Sequence, residues 1–296
     1  MRRLLLAAMM FGAVTGARAA DMPDFLRGSI PAESAPTRNW EGWYVGGQVG
    51  YSSADMNFSN SIVSMTNFIF RNSVLQQPTS SWSLLDKNTA QGTNFGAFVG
   101  HNWQWDDVVL GVEANYSYMN RIASSSSGSL ALAIVSPPGS AAPPNHTYTY
   151  NTSMNGAAAV TIKDVMTFRG RAGWAFGDFL PYMFGGLAVG RMDASRSVST
   201  QVQLRDDTTA TTTDQFGNTT QQIVNTTFSP VPSLTQTAAE QKTNAFVAGW
   251  TAGLGFEYCL WGGVFLRGEY EYIHFSPVKD TNISLNSVRA GLGYKF

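Results

Sequence analysis

The sequence predicts an all-β fold, an eight-stranded antiparallel transmembrane β-barrel with long extracellular loops. Three observations predict it. Eight segments of about 9–13 residues alternate an apolar face with a small or polar one, the length a tilted strand needs to cross a bilayer. The connections between them alternate short and long. The strand count is even, so both ends of the domain fall on one side.

The first segment is WEGWYVGGQVGYS, from Trp40. Trp43, Val45, Val49 and Tyr51 share one face, and Tyr44, Gly46, Gln48 and Gly50 the other, a period of two. The second, 92–103, sets Phe95, Ala97, Val99 and Trp103 on its apolar face. The third, 107–118, sets Leu110, Val112, Ala114, Tyr116 and Tyr118 against Glu113, Asn115 and Ser117. The fourth, 164–176, sets Met166, Phe168, Ala172 and Trp174 against Thr167, Arg169 and Arg171. The fifth, 180–191, is apolar on both faces, so its facing is ambiguous. The sixth, 244–258, alternates Phe246, Trp250, Leu254 and Phe256 with glycines, Thr251 and Glu257. The seventh, 264–273, sets Leu266, Tyr270 and Tyr272 against Phe265, Arg267, Glu269 and Glu271. The last, 286–296, sets Val288, Leu292, Tyr294 and Phe296 against Arg289, Gly291, Gly293 and Lys295. A few residues join segments two and three, four and five, and six and seven. The remaining connections, 54–91, 119–163, 192–243 and 274–285, are expected as external loops.

The same alternation would suit a soluble barrel or sandwich. Two features select the membrane. Glycines crowd the small face, which would make a poor aqueous surface. Aromatics cluster at strand ends on the apolar face, as interfacial girdles do.

The amino terminus reads as an export signal. Arg2 and Arg3 precede a short apolar run and an Ala17-Arg18-Ala19 cleavage site, too short for a membrane helix. Residues 1–19 are expected to be a signal peptide, 20–39 a proline-bearing periplasmic lead-in, and 40–296 the barrel domain of a bacterial outer-membrane protein. Of 19 Lys and Arg, three fall in the leader, leaving 16 against 20 acids, so nothing suggests nucleic acid. The single Cys259 excludes an internal disulfide and reads as a small apolar residue near a turn.

The inward face collects Glu113, Arg169, Arg171, Glu257, Arg267, Glu269, Glu271, Arg289 and Lys295. An eight-stranded interior is just wide enough to be filled by side chains, and isolated buried charges are costly. These residues are therefore expected to pair as a plugging network. The inward glycines leave room for water, so a polar conduit for ions stays open as the alternative. Chemistry finds little footing. His274-x-Ser276 resembles the His-x-Ser spacing of lipid A deacylases, but Pro277 follows and no Glu occurs after Glu271, so the base has no orienting partner. His101 and His146 lack metal-ligand neighbours at suitable spacing. The pairs Asp106-Asp107 and Asp206-Asp207 read as solvated turn or loop acids, at most a weak divalent-cation site. No catalytic, cofactor or metal residue is assigned.

The opening strand, with Trp40, Gly42, Trp43, Tyr44, Gly46, Gly47, Gly50 and Tyr51, resembles that of the porin-like small outer-membrane surface proteins of alphaproteobacteria. So do the hairpin FRGRAGWAFGDFLPYMFGGLAVG from Phe168 and the closing NSVRAGLGYKF. The resemblance covers about 90 strand residues and none of the loops. It implies an outer-membrane β-barrel whose relatives are described variously as porins, surface antigens and structural proteins. It also implies that Phe296 is the aromatic terminus presented to the barrel-assembly machinery. Lipid and lipopolysaccharide are the other expected partners. The expected function is non-enzymatic, envelope structure and surface display, with a porin-like channel as the alternative and a lipid-modifying enzyme the weakest. An external ligand is not legible.

Overall fold

The computed structural model describes residues 38–79 and 82–296. The expected signal peptide and nearly all of the expected lead-in lie outside the described residues. Nine strands form one antiparallel sheet: β1 (Gly42–Asn57), β2 (Lys87–Trp105), β3 (Val108–Val135), β4 (His146–Trp174), β5 (Phe179–Thr213), β6 (Thr219–Pro230), β7 (Thr237–Trp261), β8 (Val264–Val278) and β9 (Thr281–Lys295). Eight of them close into a ring. β1 pairs with both β2 and β9, and β4 with both β3 and β5. β6 is the exception, pairing with β5 alone in the neighbour order. Two helices, α1 (Val63–Phe70) and α2 (Gln76–Thr79), lie between β1 and β2.

The outward face of the ring is the predicted apolar one. Trp43, Val49, Leu110, Val112, Phe168, Met183, Leu187, Leu254, Val288 and Leu292 are exposed. That is the expected state of side chains facing lipid rather than water. The ambiguous fifth segment turns Leu180, Tyr182 and Phe184 inward and Met183 and Leu187 outward.

Three expected loops turn out to be largely strand. β3, β4 and β5 run 28, 29 and 35 residues, whereas a tilted strand crosses a bilayer in about 9–11. Most of their length therefore stands beyond the lipid. The extension is possible because the pattern inverts. Asn120 and Arg121 adopt left-handed backbone, φ 42° and 57°, and the β3–β4 register shifts between Tyr118 and Ile122. A bulge of this kind swaps the faces of a strand. Below it the even-numbered residues of β3 point to lipid; above it Ile122 is buried and Ser125, Ser127 and Ser129 face out. On β4 a shift between Ile162 and Asp164 does the same, burying Met154, Ala158, Val160 and Ile162. Ion pairs cluster at this level: Arg191 with Asp164, and Lys163 with Asp193 at 2.8 Å.

The expected loop 274–285 is not one. β8 and β9 continue to Val278 and Thr281, joined by Lys279 and Asp280, both left-handed at φ 47° and 60°. That is the geometry of a two-residue hairpin turn matched to strand twist. Only 54–91 keeps substantial non-strand structure. Its α1 buries Met65, Thr66, Ile69 and Phe70, one face at i, i+4 spacing. Met65, Ile69 and Phe70 join Phe58, Ile62, Leu75 and Leu85 in an apolar cluster with inward residues of the extended strands.

Candidate functional site

The barrel interior is layered. At the end bearing the short turns lies an aromatic and aliphatic layer of Trp40, Tyr44, Phe98, Val109, Leu180, Tyr182, Phe184, Cys259 and Phe265. Above and against it lie four glutamates and four arginines, none more than 4% exposed. Beyond them come Gln48, Asn115 and Ser117, hydrogen-bonded to one another. The apolar cluster around α1 follows.

The charged layer is continuous. Arg169 on β4 meets Glu113 on β3 at 2.5 Å and Glu269 on β8 at 2.6 Å, and lies 3.4 Å from Glu271. Arg171 meets Glu257 on β7 at 2.8 Å. Arg267 bridges Glu257 at 2.5 Å and Glu113 at 2.9 Å. Arg289 on β9 holds Glu269 and Glu271, each at 2.9 Å. Formal charge within this octad is zero. The strands place these groups together because Glu113 registers against Arg169, Glu257 against Arg267, and Glu269 against Arg289.

Aromatic residues complete the layer. The Arg267 guanidinium lies 3.7 Å from the Phe98 ring centroid, Arg171 3.9 Å from Tyr182, and Arg169 4.0 Å from Phe184. Such stacking favours a cation in a dry site. The Tyr44 hydroxyl donates to Glu113 at 2.8 Å and the Tyr182 hydroxyl to Glu269 at 2.6 Å. Alternation puts Tyr44 on this face but does not single out Phe98, Tyr182 or Phe184, since an aromatic side chain reads alike on either face. Several inward glycines lie against interior rings. A Cβ on Gly46 would fall 2.2 Å from the Phe98 ring, on Gly253 2.4 Å from Phe184, and on Gly293 2.3 Å from Phe265. These glycines seat aromatic rings; the room expected for water beside them is occupied.

Of the nine expected network residues, Lys295 stands apart. Its Nζ donates to the backbone carbonyls of Asn39 and Glu41 at the barrel's end. The Phe296 ring is 74% exposed, and its backbone N–H donates to the Trp43 carbonyl at 2.9 Å. His274 pairs through Nδ1 with Ser284 at 3.0 Å and stacks near Trp250, while Ser276 is exposed. His101 packs edge-on against Trp43. His146 meets Asp206 at 2.8 Å, and Asp207 accepts from Thr226 and Arg205. Among the described residues no three His, Cys, Asp or Glu side chains gather as a metal site.

A family model described as "Outer membrane protein beta-barrel domain" matches residues 6–296. The chain belongs to the outer-membrane β-barrel family. Its relatives agree. A 31 kDa outer-membrane immunogenic protein of Brucella melitensis is 25% identical over the whole of both chains. A 22 kDa outer membrane protein of Rhizobium leguminosarum is 24% identical over 90% of this chain and 83% of its own. Neisserial surface protein A aligns with 86% of this chain and 97% of its own at 13% identity and a TM-score of 0.30, too loose to match residues. As a member of the outer-membrane β-barrel family, the protein resides in the bacterial outer membrane. The exposed apolar belt is its lipid-facing surface.

Proposed function

We propose that this outer-membrane β-barrel protein is a non-enzymatic anchor and display scaffold: a closed barrel that holds a rigid β-extension above the membrane. The observation that carries this reading is the filled interior. An aromatic layer, a neutral octad of ion pairs and an apolar cluster follow one another along the axis, with α1 inside the last. A diffusion channel needs a continuous aqueous path, and open porins use about 16–18 strands. Here eight strands enclose charged side chains that pair with one another. The outward investment lies in the extension, where β3, β4 and β5 carry chain well past the lipid belt. Binding usually lives on loops held by a rigid frame.

Topology is tested with single cysteines. Gln215 lies in the exposed turn between β5 and β6, and Asp106 in the short turn between β2 and β3. Native Cys259 is buried and gives little background. On intact cells, an impermeant maleimide should label Gln215→Cys and leave Asp106→Cys unlabelled until the outer membrane is opened. The reverse labelling would overturn the display reading.

A further inference from the structure

β6 is unlike every other strand. Eleven of its twelve residues are exposed and Thr226 is intermediate, so neither of its faces is covered. Among the described residues only β5 pairs with it, so among them its far edge presents unpaired backbone N–H and C=O groups. Natural proteins blunt such edges with lysines, prolines, bulges or a covering segment. TTQQIVNTTFSP carries no charge, and its proline stands at the last position. One register shift, opposite Thr208 and Thr209, interrupts it. The contrast with β3 is instructive. There the chain before β2 lies along the edge: the Asp86 N–H donates to Ser126 Oγ at 3.0 Å, and a Cβ on Gly128 would fall 2.2 Å from the Leu84 carbonyl. β6 also bears exposed Ile223, Val224 and Phe228. Its turn is stiffened by Asp214, which accepts from the N–H groups of Phe216 and Asn218, and shows Phe216 at 80% exposure.

Resting on the display reading, we propose that β6 is a homotypic docking edge that pairs with β6 of a second copy on a facing membrane. Three arguments select this occupant. An uncharged strand meets its own copy without like charges opposed, whatever the register. Direction is the second. β6 runs from the tip back toward the membrane, so neighbours in one membrane present parallel edges, whereas copies on facing membranes present antiparallel ones, the slightly stronger pairing. Size is the third. Twelve residues at about 3.4 Å each make an edge of about 40 Å, and a contact one strand wide falls below the ~1,200 Å² of a stable interface. One such contact is weak. Many between two membranes act together through avidity.

The test uses cells producing the full chain, with clustering read by settling and microscopy. Val224 is near the middle of β6, so any well-overlapped antiparallel pairing brings it close to its counterpart. Wild-type cells should cluster. Val224→Lys and Val224→Glu cells should each cluster about tenfold less, as multivalent contact is lost, with heat-shifted gel mobility showing both folded. Mixing the Lys and Glu cells should restore clustering. Clustering of Val224→Lys cells at the wild-type level, or failure of the mixture to recover, would overturn the proposal. So would dispersed wild-type cells whose Gln215→Cys counterparts label from outside, and that outcome leaves the display reading standing. Absence of the label would overturn both.

Discussion

Glu269 faces Arg169, Arg267 and Arg289 and accepts from the Tyr182 hydroxyl. Neutralising it leaves three guanidinium groups short of one charge in a buried site. Removing one partner of a buried ion pair costs about 3–5 kcal/mol. Glu269→Gln should therefore lower unfolding stability in detergent by about that amount, read from the urea midpoint; an unchanged midpoint would show the octad contributes nothing. The glycines make a separate, steric prediction. Gly293→Ala puts a methyl against the Phe265 ring, and overpacking of this kind costs about 1–3 kcal/mol. Adding Phe265→Leu should recover part of that loss. If the double variant is no better than the single one, the glycine has some other role. Alternation alone puts the eight octad residues on one face, together with Lys295. Most of the rings against them are not singled out that way, because Phe98, Tyr182 and Phe184 differ from lipid-facing aromatics only in which way the strand turns them.

At the scale of elements, alternation located all eight ring strands, because lipid on one side and a packed interior on the other enforce a period of two. It stopped short at the membrane boundary. Beyond Tyr118 the period persists, but bulges exchange the faces, and outward Ser, Ala and Asn replace apolar residues. Polar-out, apolar-in strand then resembles loop composition. The segment 274–285 misled for a related reason: Lys279-Asp280 is a tight turn without glycine. Just beside that turn, Arg196 of β5 binds Glu240 of β7 at 2.9 Å, Asp280 at 2.8 Å and the Ser61 carbonyl at 2.7 Å. Lys279 binds Glu240 at 2.7 Å. This clasp ties the segment before α1 to the extension. The Lys279 ammonium, then the Arg196 guanidinium, hold the Glu240 carboxyl below its ordinary range. A depressed carboxyl stabilises above its unfolded pKa and loses that contribution as pH falls through the folded value. Protease resistance of the extension should thus decline below about pH 4.3. In Glu240→Gln, with an exposed pair contributing about 0.2–1 kcal/mol, resistance should be slightly lower at neutral pH. It should also lack the part of the acid response that Glu240 supplies. An acid response identical to wild type would assign it to other carboxylates.

For the whole molecule, the division of labour is vertical. Lipid sets the belt, the octad and its rings pack the middle, and the apolar cluster joins α1 to the inward residues of the extended strands. What alternation could not decide was whether the inward charges line a path or block one, since both need the same residues at the same parity. Packing between strands bears on it, and packing is not written along any single strand. Closure is therefore the central claim, and planar-bilayer conductance of the refolded protein, 20–296, tests it most directly. With folding shown by heat-shifted gel mobility, the bilayer should stay silent across salt concentrations. Steady openings whose conductance scales with salt would contradict the account and make the interior a water path.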